Sequence, residues 1–169
     1  PANTILSGDI GDVDVYTDNS YRVVTIDNAG TSTLLDGFTV TRGYIEPGEE
    51  NPYGAGIYIT NGSPTLNNLI ITDNWAGNTV GSGGGGIYID GPPVLPLITP
   101  HISNVTISYN FSGRGGGLFS QRSSPVLTNV VFIGNEALAT GGGGANFQNL
   151  NPTDPDINAV LTNVSFINN

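Results

Sequence analysis

Four aspartates, Asp9, Asp12, Asp14 and Asp18, fall within ten residues of one another. A hard cation takes several oxygen ligands from a short loop free to wrap around it, so this stretch is the chain's candidate calcium site. The spacing fits no EF-hand, and a solvated acidic turn is the alternative reading. Glu46, Glu49 and Glu50 form a second, looser acidic group. Tyr58, Tyr88 and Phe119, joined by Trp75, are the candidate ligand or partner surface, because aromatics with a polar end suit sugar stacking and protein contact; ordinary packing of the ladder under a loop is the alternative reading. The single histidine, His101, lies between Pro100 and Ile102 without an evident orienting partner, and is expected on the solvent side of a strand. Glycoside cleavage needs two carboxylates facing each other across a cleft, whereas the acids here lie mostly in loops. The chemistry therefore points to binding, with no catalytic residue assigned.

What must position these residues is a repeated two-part phrase. Gly84-Gly85-Gly86-Ile87-Tyr88-Ile89 leads to Ile102-Ser103-Asn104-Val105-Thr106-Ile107-Ser108-Tyr109-Asn110. The same pair opens earlier at Gly54 and Leu66, and later at Gly115 and Leu127 and at Gly143 and Leu161; Leu35 to Gly43 is a degenerate copy of the second half. Asparagine recurs in two columns, Asn68, Asn104, Asn129 and Asn163, then Asn74, Asn110, Asn135 and Asn169, and the degenerate copy has Gly37 and Gly43 there. Glycine and asparagine share tolerance of the left-handed backbone, so both columns are expected to be corners at positive φ and to stack as hydrogen-bonded ladders.

Within the phrase the apolar residues step by three and then two, as in Leu66, Leu69 and Ile71. A corner that absorbs the extra residue lets both flanking strands point inward. Ile57, Ile59, Ile87 and Ile89 should face in as well, with Tyr58 and Tyr88 facing out. Ala145 and Phe147, at the Ile57 and Ile59 positions, exchange small for large in a way that conserves core volume. The first asparagine column is spaced by 36, 25 and then 34 residues, so loops lengthen at Thr79 to Ser82, Gly91 to Thr99 and Asn149 to Asn158 without breaking the phrase. Variable spacing excludes stacked helical hairpins, and no run carries a sustained helical period. The expected fold is all-β, a single domain over 1–169: a right-handed parallel β-helix, or solenoid, of about five to six coils, each rising about 4.8 Å.

Composition limits the functions this scaffold can have. Cysteine, methionine and lysine are absent, which excludes a disulfide framework and a cysteine metal centre. Fourteen acids against four arginines give a charge of −10, which repels phosphate backbones, so nucleic acid is not an expected partner. No apolar stretch approaches the ~20 residues of a membrane span. No cofactor is required beyond the calcium just considered, and the expected location is extracellular, secreted or on a cell surface. Of the sequons at Asn61, Asn104, Asn110 and Asn163, three lie on the asparagine columns, where the corner already explains the residue.

The glycine-led phrases with their F-x-x-N endings, Phe132 to Asn135 and Phe166 to Asn169, resemble the repeats of polymorphic outer-membrane protein autotransporter adhesins. Ile71 to Asn74 and Ile107 to Asn110 carry isoleucine for phenylalanine, and Gly144-Ala145 is followed by Asn146 where those repeats have an aliphatic residue. More broadly, residues 33–169 resemble the pectate-lyase-like right-handed β-helix superfamily. That resemblance implies either an adhesive rod or a polysaccharide lyase or hydrolase; the latter would use clustered carboxylates with a basic residue or calcium, or paired aspartates with a Gly-His-Gly turn. The chain has no Gly-His-Gly and no adjacent aspartates. The expectation is a structural or adhesive rod whose open ends stack on other copies or on neighbouring coils of a longer chain. A carbohydrate-binding or carbohydrate-cleaving β-helix, with polysaccharide as partner and an arginine such as Arg42 or Arg114 in its groove, is the alternative.

Overall fold

A step of three between Leu66 and Leu69 demands a residue that turns the chain while keeping both side chains on one side. The computed structural model describes residues 4–13, 15–149 and 151–169. There the turning residue is Asn68, at φ 51°, and Asn104, Asn129 and Asn163 repeat it at 55°, 56° and 52°, with Gly37 at 82°. An L-residue pays a steric penalty in this region, and asparagine pays the least after glycine. The first column is thus the row of left-handed corners its composition implies.

The chain enters through β1 (Ile5–Ser7), a single 3-10 turn at Tyr16–Asp18, β2 (Val24–Asp27), β3 (Leu34–Asp36), β4 (Thr39–Thr41) and β5 (Tyr44–Ile45). The next round holds β6 (Ile57–Thr60), β7 (Thr65–Asn67), β8 (Ile70–Thr72) and β9 (Trp75–Ala76). Then come β10 (Ile87–Asp90), β11 (His101–Ser108) and β12 (Phe111–Ser112), followed by β13 (Leu118–Gln121), β14 (Val126–Ile133) and β15 (Glu136–Ala137). β16 (Ala145–Phe147) and β17 (Val160–Ile167) complete the described strands.

Each strand pairs, in parallel, with its counterpart in a neighbouring repeat. One sheet runs β1-β4-β8-β11-β14-β17, with β3 and β7 joined to it; a second runs β2-β6-β10-β13-β16; a third runs β5-β9-β12-β15. The protein is all-β, with parallel strands throughout its described sheets. Like residues meet like: Leu66 pairs with Ile102, Ile102 with Leu127 and Leu127 with Leu161. Val40, Ile57, Ile59, Leu66, Leu69, Ile71, Ile87, Ile89, Ile107 and Phe132 are fully or almost fully buried in one apolar cluster. Burying each such side chain contributes about 1.5–3 kcal/mol. The volume exchange also falls in register, Leu118 opposite Ala145 and Ser120 opposite Phe147.

The second asparagine column departs from the expectation. Asn74, Asn110, Asn135 and Asn169 are not at positive φ; the left-handed residue is the one before each, Asp73, Tyr109, Gly134 and Asn168, with Arg42 preceding Gly43. These asparagines are selected by hydrogen bonding. Asn74, Asn110 and Asn135 are buried. The backbone N–H and Nδ2 of Asn74 both donate to Asn110 Oδ1, those of Asn110 to Asn135 Oδ1, and those of Asn135 to Asn169 Oδ1, all at 2.8–3.1 Å. Each Nδ2 also donates to a carbonyl of the preceding round: Asn74 to Val40, Asn110 to Ile71, Asn135 to Ile107 and Asn169 to Phe132. Gly43 begins this row as a donor alone, its N–H reaching Asn74 Oδ1 at 3.0 Å. It is glycine for want of room, since a Cβ there would lie 2.0 Å from the Ala55 carbonyl oxygen.

The outer column forms a more exposed ladder. Asn163 Nδ2 donates to Asn129 Oδ1 and Asn129 Nδ2 to Asn104 Oδ1, but Asn104 turns to Asn67 Oδ1 and Asn68 to Asp36 Oδ1.

Candidate functional site

Register puts two aromatic rows on the outside of these sheets. Pairing of β2, β6, β10, β13 and β16 aligns Thr25, Tyr58, Tyr88, Phe119 and Asn146. Tyr58 and Tyr88 stack at 5.3 Å, and Tyr88 and Phe119 lie 5.7 Å apart. The stripe expected from the sequence therefore exists, but it is not an open surface. Tyr88 is only 2% exposed and Phe119 0%. Tyr53 stacks on Tyr88 at 4.6 Å and reaches Phe119 at 6.4 Å. Arg22 fastens this cover: its guanidinium lies 4.2 Å over the Tyr58 ring while Nε and Nη2 donate to the Tyr53 and Asn51 carbonyls. A segment whose own apolar ring can pack on the stripe buries it, as hydrophobic area requires.

Polar groups beside the stripe pair with one another, although the buried Gln121 Oε1 has no partner. Gln121 Nε2 donates to the Tyr88 hydroxyl at 2.6 Å, and Arg122 Nη2 pairs with Asp90 Oδ1 at 2.5 Å. Burial, against the pull of Arg122, raises the Asp90 carboxyl above its ordinary range, and burial pushes the Tyr88 phenol far above its own. Tyr58 shifts the same way for the same leading cause.

The second row is open. Pairing of β5, β9, β12 and β15 aligns Tyr44, Trp75, Phe111 and Glu136. Trp75 and Phe111 are stacked at 3.7 Å and 18°, and the row then fans out, to 6.2 Å and 31° at Tyr44–Trp75 and 5.9 Å and 46° at Tyr16–Tyr44. Tyr109, from the left-handed column next to this sheet, lines the same opening. Its ring lies over Gly134, where a Cβ would stand 2.8 Å from Tyr109 Cε1, so glycine in that round is what lets the ring lie there. The opening is a slot of about 430 Å³, with Asp73 and Asn74 also lining it. Of the calls on aromatic residues, Trp75 is brought into this slot, whereas Tyr58, Tyr88 and Phe119 are not.

Tyr16, Tyr44, Tyr109 and Phe111 were not singled out by sequence reasoning. The signal was present one position beyond the inner asparagine column, where Tyr44, Trp75 and Phe111 each follow its Gly or Asn. Tyr109 could not be found that way, because its role depends on the missing side chain at Gly134.

The described aspartates of the acidic loop have partners of other kinds. Asp9 pairs with Arg42 at 3.3 Å, and Asp18 Oδ2 accepts the Asp12 N–H at 2.8 Å. Asp14 lies outside the described residues. Among the described residues no three acidic or histidine side chains gather as a metal site. His101 is exposed on β11, between Thr65 and Val126 in the pairing. Glu49 accepts the Tyr21 hydroxyl at 2.9 Å.

The open slot thus offers ring surface and one carboxylate, Asp73; among the described residues no second carboxylate lines it to make the facing pair of glycoside hydrolysis. No family model matches the chain, and no curated protein or solved structure is significantly similar to it.

Proposed function

We propose that the three parallel sheets are the faces of a right-handed parallel β-helix of about five to six coils, serving outside the cell as a structural or adhesive rod. One observation carries the reading. Loops of very different length, such as 91–100 between β10 and β11 and 122–125 between β13 and β14, separate strands that nonetheless pair residue for residue. A scaffold whose core is indifferent to its loops can vary recognition without refolding, which is the property a display rod needs. The right hand follows the rule for crossovers between parallel strands. Kinship with the adhesin repeats, within the pectate-lyase-like superfamily, belongs to the same proposal and rests on the repeated phrases.

Beads coated with the protein and held under flow over cell or matrix surfaces test this reading, with polysaccharide cleavage followed on the same preparation. Retention without new reducing or unsaturated ends supports the rod. Cleavage of an acidic polysaccharide would move the assignment to the enzyme reading.

End-to-end assembly is a second reading, favoured by inward-register side chains left exposed on β17: Leu161 and Phe166, whose counterparts Leu127 and Phe132 are buried. Unpaired edges with exposed apolar residues favour a further strand, from another copy or from neighbouring coils. Filaments under electron microscopy at rising concentration support stacking; single particles throughout would end it.

A further inference from the structure

We propose that the slot lined by Tyr109 and the fanned row of Tyr16, Tyr44, Trp75 and Phe111 binds an organic cation of the trimethylammonium class, with Asp73 as counter-ion. The inference does not depend on the rod reading, since it rests on the slot alone.

Ring type and charge argue for it together. Five aromatic rings surround the slot, and the electron-rich faces of tryptophan and tyrosine attract a poorly hydrated cation. Tyr44, Trp75 and Phe111 are aligned by strand pairing and Tyr16 continues their row, in which stacking is tight between Trp75 and Phe111 and opens by Tyr44, so ring faces become available toward the Tyr16 end. This end already holds one cation of the chain itself: the Arg42 guanidinium stands 6.0 Å over the Tyr16 ring.

The hydrogen-bonding inventory favours a cation over a sugar. A sugar needs fixed donors and acceptors for its hydroxyls, and the slot's one carboxamide is used elsewhere. Asn74 Nδ2 donates to Val40 O, Thr72 O and Asn110 Oδ1, and its Oδ1 accepts from Gly43. The Trp75 Nε1 is buried and does not face the opening. What remains is the Asp73 carboxylate, steadied through Oδ2 by the Thr72 hydroxyl at 2.9 Å, together with the ring faces and the rotatable hydroxyls of Tyr16, Tyr44 and Tyr109. The chain's charge of −10 adds a field of the same sense. An opening of about 430 Å³ accommodates a trimethylammonium group with its substituent.

Trp75 is the only tryptophan, so its fluorescence reports the slot directly. Choline chloride titrated at constant ionic strength should change that emission saturably. The uncharged isostere 3,3-dimethylbutan-1-ol should produce no saturable change at matched concentrations. Asp73→Asn, which keeps a residue tolerant of φ 55°, should weaken choline binding about tenfold with the melting temperature unchanged. Tyr109→Leu, at an exposed ring, should weaken it independently of Asp73. Equal binding of choline and its isostere would overturn the proposal in favour of a plain apolar slot. Saturation by a neutral oligosaccharide but not by choline would replace it with a sugar site, and no saturable response to choline would end it.

Discussion

Asn110 Oδ1 accepts two hydrogen bonds from Asn74, one from its backbone N–H at 3.1 Å and one from its Nδ2 at 2.9 Å. One buried oxygen thereby satisfies a main-chain and a side-chain donor of the neighbouring round. Replacing Asn110 by alanine strands the Asn74 backbone N–H, takes one of three acceptors from Asn74 Nδ2 and removes a donor to the Ile71 carbonyl, which should cost about 1–3 kcal/mol in chemical denaturation. Glycine at 110 should do no better than alanine, because the backbone there is not left-handed. At Asn104, φ 55° reverses the ranking: glycine should stay within about 1 kcal/mol of wild type while alanine loses about 1–2 kcal/mol. Unfolding curves of these four variants separate a column of amides from a column of corners.

Gly86 couples the two halves of the repeat. A Cβ on it would stand 2.6 Å from the Gly117 carbonyl oxygen and 2.9 Å from Asn110 Nδ2, and Gly56 is placed likewise against the Gly86 carbonyl and Asn74 Nδ2. Gly86→Ala should therefore destabilise by about 1–3 kcal/mol or more, because the obstruction is backbone and cannot swing away. Gly81→Ala, whose added carbon meets only Thr79 Oγ1 at 3.6 Å, should be nearly silent in the same thermal melt.

Tyr88 sets the alkaline behaviour. An unfolded tyrosine ionises near about pH 10, and burial holds the folded Tyr88 phenol protonated well beyond that. Because the folded state keeps the proton longer, the associated stability is whole below about pH 10 and is lost as pH rises further. Tyr88→Phe, which has nothing to ionise, should lose stability less steeply above pH 10 than wild type, whatever its stability at pH 7. Denaturation midpoints at pH 8, 9.5 and 11 measure the two slopes.

Much of the fold was legible because its determinants are local and repeated. The three-then-two step of Leu66, Leu69 and Ile71 identified inward residues, and the Gly37 and Asn68 equivalence identified the corner. The inner column was misjudged because its asparagines meet only through stacking. Gly43, which seemed to mark a corner, is set by the nearness of Ala55 instead. The aromatic rows were hardest to tell apart. Alternation says that Tyr88 points away from the core, but not that Tyr53, more than thirty residues earlier, folds back to cover it. Likewise nothing near Tyr109 announces the gap at Gly134 that its ring fills.

Every position in this account depends on rounds of the chain stacking in one parallel register, and disulfide trapping tests that most directly. The chain has no cysteine, so engineered pairs meet no competing thiol. Thr128 pairs with Thr162 and Ser103 with Thr128, whereas Ser103 and Thr162 stand two rounds apart, about 9.6 Å, beyond the roughly 7 Å a disulfide spans. Thr128→Cys with Thr162→Cys, and Ser103→Cys with Thr128→Cys, should cross-link rapidly on mild oxidation of the folded protein, while Ser103→Cys with Thr162→Cys should remain reduced. Efficient linkage of the last pair, or failure of the first two, would contradict the stacked register and the rod proposed from it.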